Sequence, residues 1–225
     1  MIPWVHLDTA SVPGAKAALK LMQRGAEFSI MAGGGTLMNS RASFSEEALA
    51  SLVAARLQAR ARPRLLIGGY GMGFTLRAAL ASLPGEARIV VAELVPQILA
   101  WARGPMAALT AGCLDDPRVV VEVGDVGAVM AASPAGFDAI ILDVDNGPDG
   151  FSRDANKSLY GAAGLGLAKK ALRPQGILAV WSAAPDEAFT KRLAQAGFDV
   201  ETVRARASKG RGGRHTIWIA AKAAA

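Results

Sequence analysis

Gly69, Gly71 and Gly73 follow directly on the apolar run Leu65-Leu66-Ile67, and Glu93 ends the next such run, Ile89-Val90-Val91-Ala92. A strand that ends in glycines can bring its backbone against a ligand, because no Cβ stands in the way. The helix start that follows at Phe74 aims free N–H groups at the same place. A carboxylate at the C-terminal end of the second strand can accept both hydroxyls of a ribose. Taken alone, the loop could be a plain tight turn and Glu93 a solvated strand-end acid. Together they point to a nucleoside ligand. The third glycine of a dinucleotide-binding loop would fall at residue 74, which is Phe, so an NAD-binding oxidoreductase is the weaker alternative.

Two further acidic positions end apolar runs. Asp125 follows Arg118–Val123 and Gly124. It can accept from an exocyclic adenine amine, and it can equally cap the next helix. Asp143 and Asp145 follow Phe137–Leu142 and alternate along one face if that strand continues. Acids at the mouth of an open α/β sheet can hold a cationic amine and remove its proton. Turn chemistry in Asp145-Asn146-Gly147-Pro148 is the competing explanation, and it accounts for Asn146 better than for Asp143.

These residues need a scaffold that brings strand ends together. From residue 64 onward, strands expected at 64–68, 88–93, 118–123, 137–143, 176–181, 198–204 and 215–220 alternate with helices near 74–82, 95–103, 125–131, 155–173 and 185–196. The pattern predicts an α/β, Rossmann-like sheet, mostly parallel, with an antiparallel hairpin at one edge. Residues 1–45 read as a small N-terminal β-meander with strands near 19–24, 27–31 and 36–39. Residues 46–225 form the nucleotide-binding domain. A helix capped by Ser43 or Ser45 and closed by Pro63 joins the two.

Composition sets the outer limits. A chain of 225 residues that is 52% hydrophobic and 20% charged can bury a full core. No run is long and apolar enough for a membrane span, and the N-terminus has no signal-peptide core. The single cysteine, Cys113, excludes an internal disulfide and fits a reducing, cytoplasmic setting. Two histidines and one cysteine argue against a structural zinc site. Of the net charge of +6, five positive charges (Arg204, Arg206, Lys209, Arg211, Arg214) fall in one acid-free stretch. That stretch could be a solvated loop, a reader of acidic acceptors or a contact for nucleic acid.

The runs Leu66-Ile67-Gly68-Gly69-x-Gly71-x-Gly73, Val91-Ala92-Glu93-Leu94-Val95-Pro96, Asp115-Asp116-Pro117-Arg118-Val119, Phe137–Asp143 and Leu172-Arg173-Pro174-x-Gly176-Ile177-Leu178 resemble those of spermidine synthases and related polyamine aminopropyltransferases. The resemblance spans about residues 19–204 and implies a class I S-adenosylmethionine-binding fold, a homodimer and a metal-free reaction. It implies a donor site made of Gly69, Gly71, Gly73, Glu93, Leu94, Asp125 and Val126. It makes Asp143 the base that positions and deprotonates an attacking amine. Asp145, Asn146, Asn39 and Trp181 are the candidates for the acceptor side.

Departures from that pattern alter the expected reaction. Gly71 stands where the family has an Asp that holds the amine end of decarboxylated S-adenosylmethionine. Ser45-Glu46-Glu47 replaces a Tyr-His-Glu or Tyr-Gln-Glu helix start, so a tyrosine of the polyamine site is missing. Met38 replaces a Gln, and Asn146 falls on the second acid that follows the strand expected at 137–143. These losses lean toward methyl transfer from intact S-adenosylmethionine. Aminopropyl transfer from the decarboxylated donor to a polyamine is the alternative, and a non-catalytic adenosyl-nucleotide sensor is a second.

Overall fold

The computed structural model describes residues 2–15, 17–144, 147–148, 158–208 and 213–223. Its first sheet is antiparallel, with β1 (Val5–Ala10), β2 (Leu19–Arg24), β3 (Glu27–Ala32) and β4 (Gly35–Asn39) in sequence order. The meander is therefore present with one more strand than expected. β1 is exposed on both faces up to Ala10, so it carries no buried–exposed alternation for a sequence pattern to reveal. It is held by backbone pairing to β2, with a register shift between His6 and Asp8.

Helix α1 (Phe44–Arg56) follows. Ser43 takes the N-cap position without a side-chain bond, and the helix ends at Arg56, well before Pro63. The second sheet is built from β5 (Arg64–Gly68), β6 (Arg88–Glu93), β7 (Val119–Val123), β8 (Phe137–Leu142), β9 (Leu172–Ser182), β10 (Phe198–Arg206) and β11 (Arg214–Lys222). Its order is β10-β11-β9-β8-β5-β6-β7. The strands β5 to β9 run parallel, and β11 and β10 return antiparallel as the edge hairpin.

The helices are α2 (Phe74–Ser82), α3 (Pro96–Arg103), α4 (Ala107–Thr110), α5 (Val126–Ala131), α6 (Ala162–Ala171) and α7 (Glu187–Gln195). The sequence places β9 at 176–181, but pairing begins at Leu172, where Phe137 meets it before a register shift. The helix before it ends at Ala171, and residues 155–157 of its expected span lie outside the described residues.

Alternation along the strands explains the layers. Leu65, Ile67, Ile89, Val91, Ala139 and Ile141 bury toward α1, α2 and α3. Leu66, Val90, Ile140, Leu142, Leu178 and Trp218 bury toward α5, α6 and α7. With helices on both faces, every residue of β8 is buried, as a central parallel strand requires. The first of these cores continues into the small sheet through Leu21, Phe28 and Ile30, so the small sheet leans on the same apolar body. Strand order reverses between β5 and β8, the switch point where open α/β sheets bind ligands at their C-terminal edge.

At the opposite end of β8, Asp138 is 1% exposed and lies 2.8 Å from both Arg60 and Arg173. It also accepts the Arg64 N–H at 2.8 Å. That knot ties β5, β8 and β9 together away from the ligand edge. Among the described residues, no helix is long and apolar enough to cross a membrane.

Candidate active site

The glycine loop leaves β5 at the switch point. Gly69, Gly71 and Gly73 all have positive φ, at 83°, 55° and 77°. The Gly69 N–H donates to the Ala92 carbonyl at 2.9 Å, and the Asp143 N–H donates to the Gly68 carbonyl at 3.0 Å. A Cβ at Gly69 would meet the Asp143 carbonyl oxygen at 2.5 Å, so the loop packs on the tip of β8 only because residue 69 is glycine. Gly73 is the N-cap of α2. It closes the turn by donating to the Tyr70 carbonyl at 2.8 Å, whereas Gly69 and Gly71 line the cleft above.

Glu93 sits beneath this loop, 5% exposed. Its Oε2 accepts the Tyr70 N–H and its Oε1 accepts the Val95 N–H, each at 2.8 Å. Burial pushes its carboxyl above the usual range, while those N–H donors pull it back. Two backbone N–H groups thus fix the carboxylate at the cleft wall, a position that suits it to a vicinal diol. Leu94 and Val126 line the same inner cleft, together with Asp125, Ile98 and Val144. The Asp125 side chain accepts from the Ala128 N–H at 3.1 Å, so it does cap α5 while facing the cleft. The inner cleft thus offers an apolar slot, a fixed carboxylate and a glycine-lined wall, a donor set that fits an adenosyl group.

Asp143 is the first residue beyond β8. Its Oδ2 accepts the Thr75 hydroxyl at 2.6 Å. Burial raises its carboxyl to about 6, with the Thr75 bond opposing that rise. It lines the inner cleft and also an outer one, which holds Met38, Asn39, Glu46, Trp181 and His215. The Asn39 side chain accepts the Arg41 N–H at 3.1 Å. The Trp181 Nε1 is buried with no hydrogen-bond partner among the described residues. Asp145 and Asn146, expected beside Asp143, lie outside the described residues, as do Lys209 and Arg211 of the basic stretch. Arg204 of that stretch turns back onto its own hairpin, donating to Thr216 Oγ1 and the Arg214 carbonyl.

Four residues of the outer cleft and its support are not apparent from sequence. Glu46 is one of two acids in the first turn of α1, and reads as a helix-dipole partner. Its carboxyl is instead raised to about 7, chiefly by burial and then by the charge of Asp143, with the Ser45 hydroxyl opposing. Ser45 is fully buried. It donates to Glu46 Oε2, and its Oγ lies 2.8 Å from His215 Nδ1. The His215 ring meets Trp181 edge-on, with centroids 4.7 Å apart. Burial, and then Arg204, lower its pKa. Thr75 is the fourth. Alignment of Ser45-Glu46-Glu47 with the substrate-binding helix start was a signal for Glu46. His215, 170 residues from Ser45, had none.

A family model described as the Spermine/spermidine synthase domain matches residues 43–194. A polyamine aminopropyltransferase of Mycobacterium tuberculosis (strain CDC 1551 / Oshkosh) is 37% identical over 138 residues, covering 60% of this chain and 25% of that protein. Putrescine N-methyltransferase 4 of Nicotiana tabacum is 36% identical over 116 residues, covering 51% and 28%. The chain thus spans about a quarter of the length of these curated relatives. The crystal structure of spermidine synthase from Thermotoga maritima superposes with a TM-score of 0.77, covering 98% of this chain and 74% of that one, at 17% identity. That identity speaks for the fold alone.

Proposed function

The chain belongs to the spermine/spermidine synthase domain family, and we propose that it transfers an alkyl group from an S-adenosyl sulfonium donor to an amine. The observation that carries this reading is the position of Asp143, a carboxylate shared by the nucleoside-shaped inner cleft and the acidic outer cleft. The donor, when bound, supplies an electrophilic carbon next to a positively charged sulfur.

Glu93 and the Gly69–Gly71 wall hold the nucleoside end, and Asp143 fixes the amine at the junction. The amine nitrogen forms the new N–C bond as the C–S bond breaks, and the bonding pair leaves on sulfur as a neutral thioether. The resulting ammonium gives its proton to an Asp143 carboxylate. The protein's share is alignment and a base, with no covalent enzyme intermediate.

Aminopropyl transfer from decarboxylated S-adenosylmethionine is the first choice of reaction. Relatives named polyamine aminopropyltransferase favour it over the methyl transfer suggested by the departures in the sequence. Methyl transfer remains the second reading on one specific observation. Gly71 has no side chain to hold an aminopropyl ammonium, and a Cβ there would already stand 2.9 Å from Met38 Cε. Putrescine N-methyltransferases are also among the relatives.

The test is to incubate the protein with a diamine and each donor in turn, reading product mass. Aminopropyl product from the decarboxylated donor supports the first reading, and methyl product from the intact donor supports the second. Donor binding with neither product from a panel of amines would overturn both.

A further inference from the structure

The outer cleft contains a carboxylate that the reaction at Asp143 does not use. Glu46 lines the outer cleft but not the inner one, whereas Asp143 lines both. Glu46 therefore lies on the side of the cleft away from the donor. Both carboxylates line the outer cleft, so an acceptor bound there meets Asp143 at the junction with the inner cleft and Glu46 beyond it.

Glu46 is also held in place. The Ser45 hydroxyl has one proton, and it is donated to Glu46 Oε2. The short contact to His215 then requires Nδ1–H of the imidazole to donate to Ser45 Oγ. His215 is in turn packed against Trp181. This chain, His215 to Ser45 to Glu46, ties the first turn of α1 to the edge hairpin. One Glu46 oxygen is committed to Ser45, and the carboxylate still has accepting capacity toward the cleft. Trp181, itself 7% exposed, forms part of the same wall.

We propose that Glu46 is a specificity-determining residue that binds the distal ammonium of a diamine acceptor, oriented for that task by Ser45 and His215. The inference rests on the amine-alkylating function proposed above. It assigns the second charge of the acceptor to a position where the sequence departs from the family's helix start. The groups facing Glu46 are Asp143 from the tip of β8, Glu47 beside it on α1, Ser45, and His215 with Arg204 behind it on the hairpin. The nearest charges are thus acids, and the imidazole is kept neutral by burial, an arrangement that favours a cationic ligand.

The test compares 1,4-diaminobutane with n-butylamine, using whichever donor the wild-type protein accepts. The Glu46→Gln variant keeps the side-chain shape and removes the charge. The expected result is a rise of about tenfold or more in KM for the diamine, with little change for the monoamine. Glu46→Asp should recover part of the diamine preference. His215→Ala should weaken it while leaving donor affinity, measured by calorimetry with methylthioadenosine, as in wild type. An unchanged diamine-to-monoamine ratio in Glu46→Gln, with wild-type donor binding, would overturn the inference and leave the functional reading standing. A wild-type protein that binds donor yet alkylates no amine of the wider panel would overturn the functional reading and this inference with it, and one that alkylates other amines but not the diamine would overturn this inference alone.

Discussion

The Thr75 hydroxyl donates to Asp143 Oδ2 across 2.6 Å, so the start of α2 and the tip of β8 meet at the carboxylate that faces both clefts. Thr75 is 2% exposed and has no role in the glycine pattern that precedes it. Its bond stabilises the ionised form of Asp143 against the burial that raises that carboxyl to about 6. Removing it in Thr75→Val should push the Asp143 pKa up further. The acid limb of kcat/KM should then move to higher pH, with a larger loss at pH 6 than at pH 8. A pH–rate profile with an unmoved acid limb would detach Thr75 from the base.

Asp143→Asn should lower kcat by roughly 10²–10⁴-fold, the usual loss when a positioned base is removed. Methylthioadenosine binding should persist, because Glu93 and the loop, the proposed holders of the nucleoside end, are unchanged. Single-turnover rates alongside calorimetry separate the two effects. Near-wild-type turnover would exclude Asp143 as the proton acceptor.

Asp143 and Glu46 also make stability depend on pH. Folding holds the two carboxyls near 6 and 7, above ordinary carboxylate values of about 4. Their protonated forms are therefore favoured by folding, and that contribution is fully present below about pH 4. It is lost as pH rises through 6 to 7, where the folded pair gives up its protons. Thermal melts between pH 5 and 8 should show Tm falling with pH from this pair, against the background of all other groups. The Asp143→Asn, Glu46→Gln double variant should fall less steeply, and an identical slope would contradict the raised pair.

Glu93→Gln replaces one carboxylate oxygen with an NH2 group. Whichever way the amide turns, that group faces either the Tyr70 N–H or the Val95 N–H, both now taken at 2.8 Å. A donor then meets a donor, at a cost of about 1–3 kcal/mol. Tm should fall, and affinity for methylthioadenosine should fall about tenfold or more. Unchanged affinity would remove Glu93 from the nucleoside site.

The two loop glycines should separate by what their Cβ would strike. In Gly69→Ala the methyl meets the Asp143 carbonyl, a backbone atom 2.5 Å away, at a φ of +83°. That costs on the order of 1–3 kcal/mol and displaces the loop from the tip of β8. In Gly71→Ala the methyl meets the flexible end of Met38 at 2.9 Å, which can move aside. Tm and turnover should both fall further in Gly69→Ala, and the reverse order would mean that the loop packs on β8 differently.

Much of this molecule can be read directly from the amino-acid sequence. Apolar runs ending in Gly69, Glu93, Asp125 and Asp143 identify parallel strands and place four ligand-facing positions at one sheet edge. That inference works because short continuous apolar runs and strand-end acids are local signals, and a right-handed parallel sheet collects strand ends on one side. The run Asp115-Asp116-Pro117-Arg118 also has a local job. Asp116 accepts from the Arg118 backbone and guanidinium, setting the turn into β7.

The tertiary structure decided what the short-range signals could not. β1 is a strand only because β2 pairs with it, since its side chains bury almost nothing. Ser45 looks like a helix cap, yet its hydroxyl is used across the fold by Glu46 and His215. Among the described residues the outer cleft has a second carboxylate, Glu46, on a helix far from β8 in sequence. Its partners are set by how α1, β8 and the terminal hairpin pack, and burial among them, rather than residue type, raises its pKa. Residue type and spacing therefore determined the inner cleft, the proposed nucleoside side, where one sheet edge supplies the groups. The outer cleft, the proposed acceptor side, was fixed by packing, because its groups come from segments that only folding brings together.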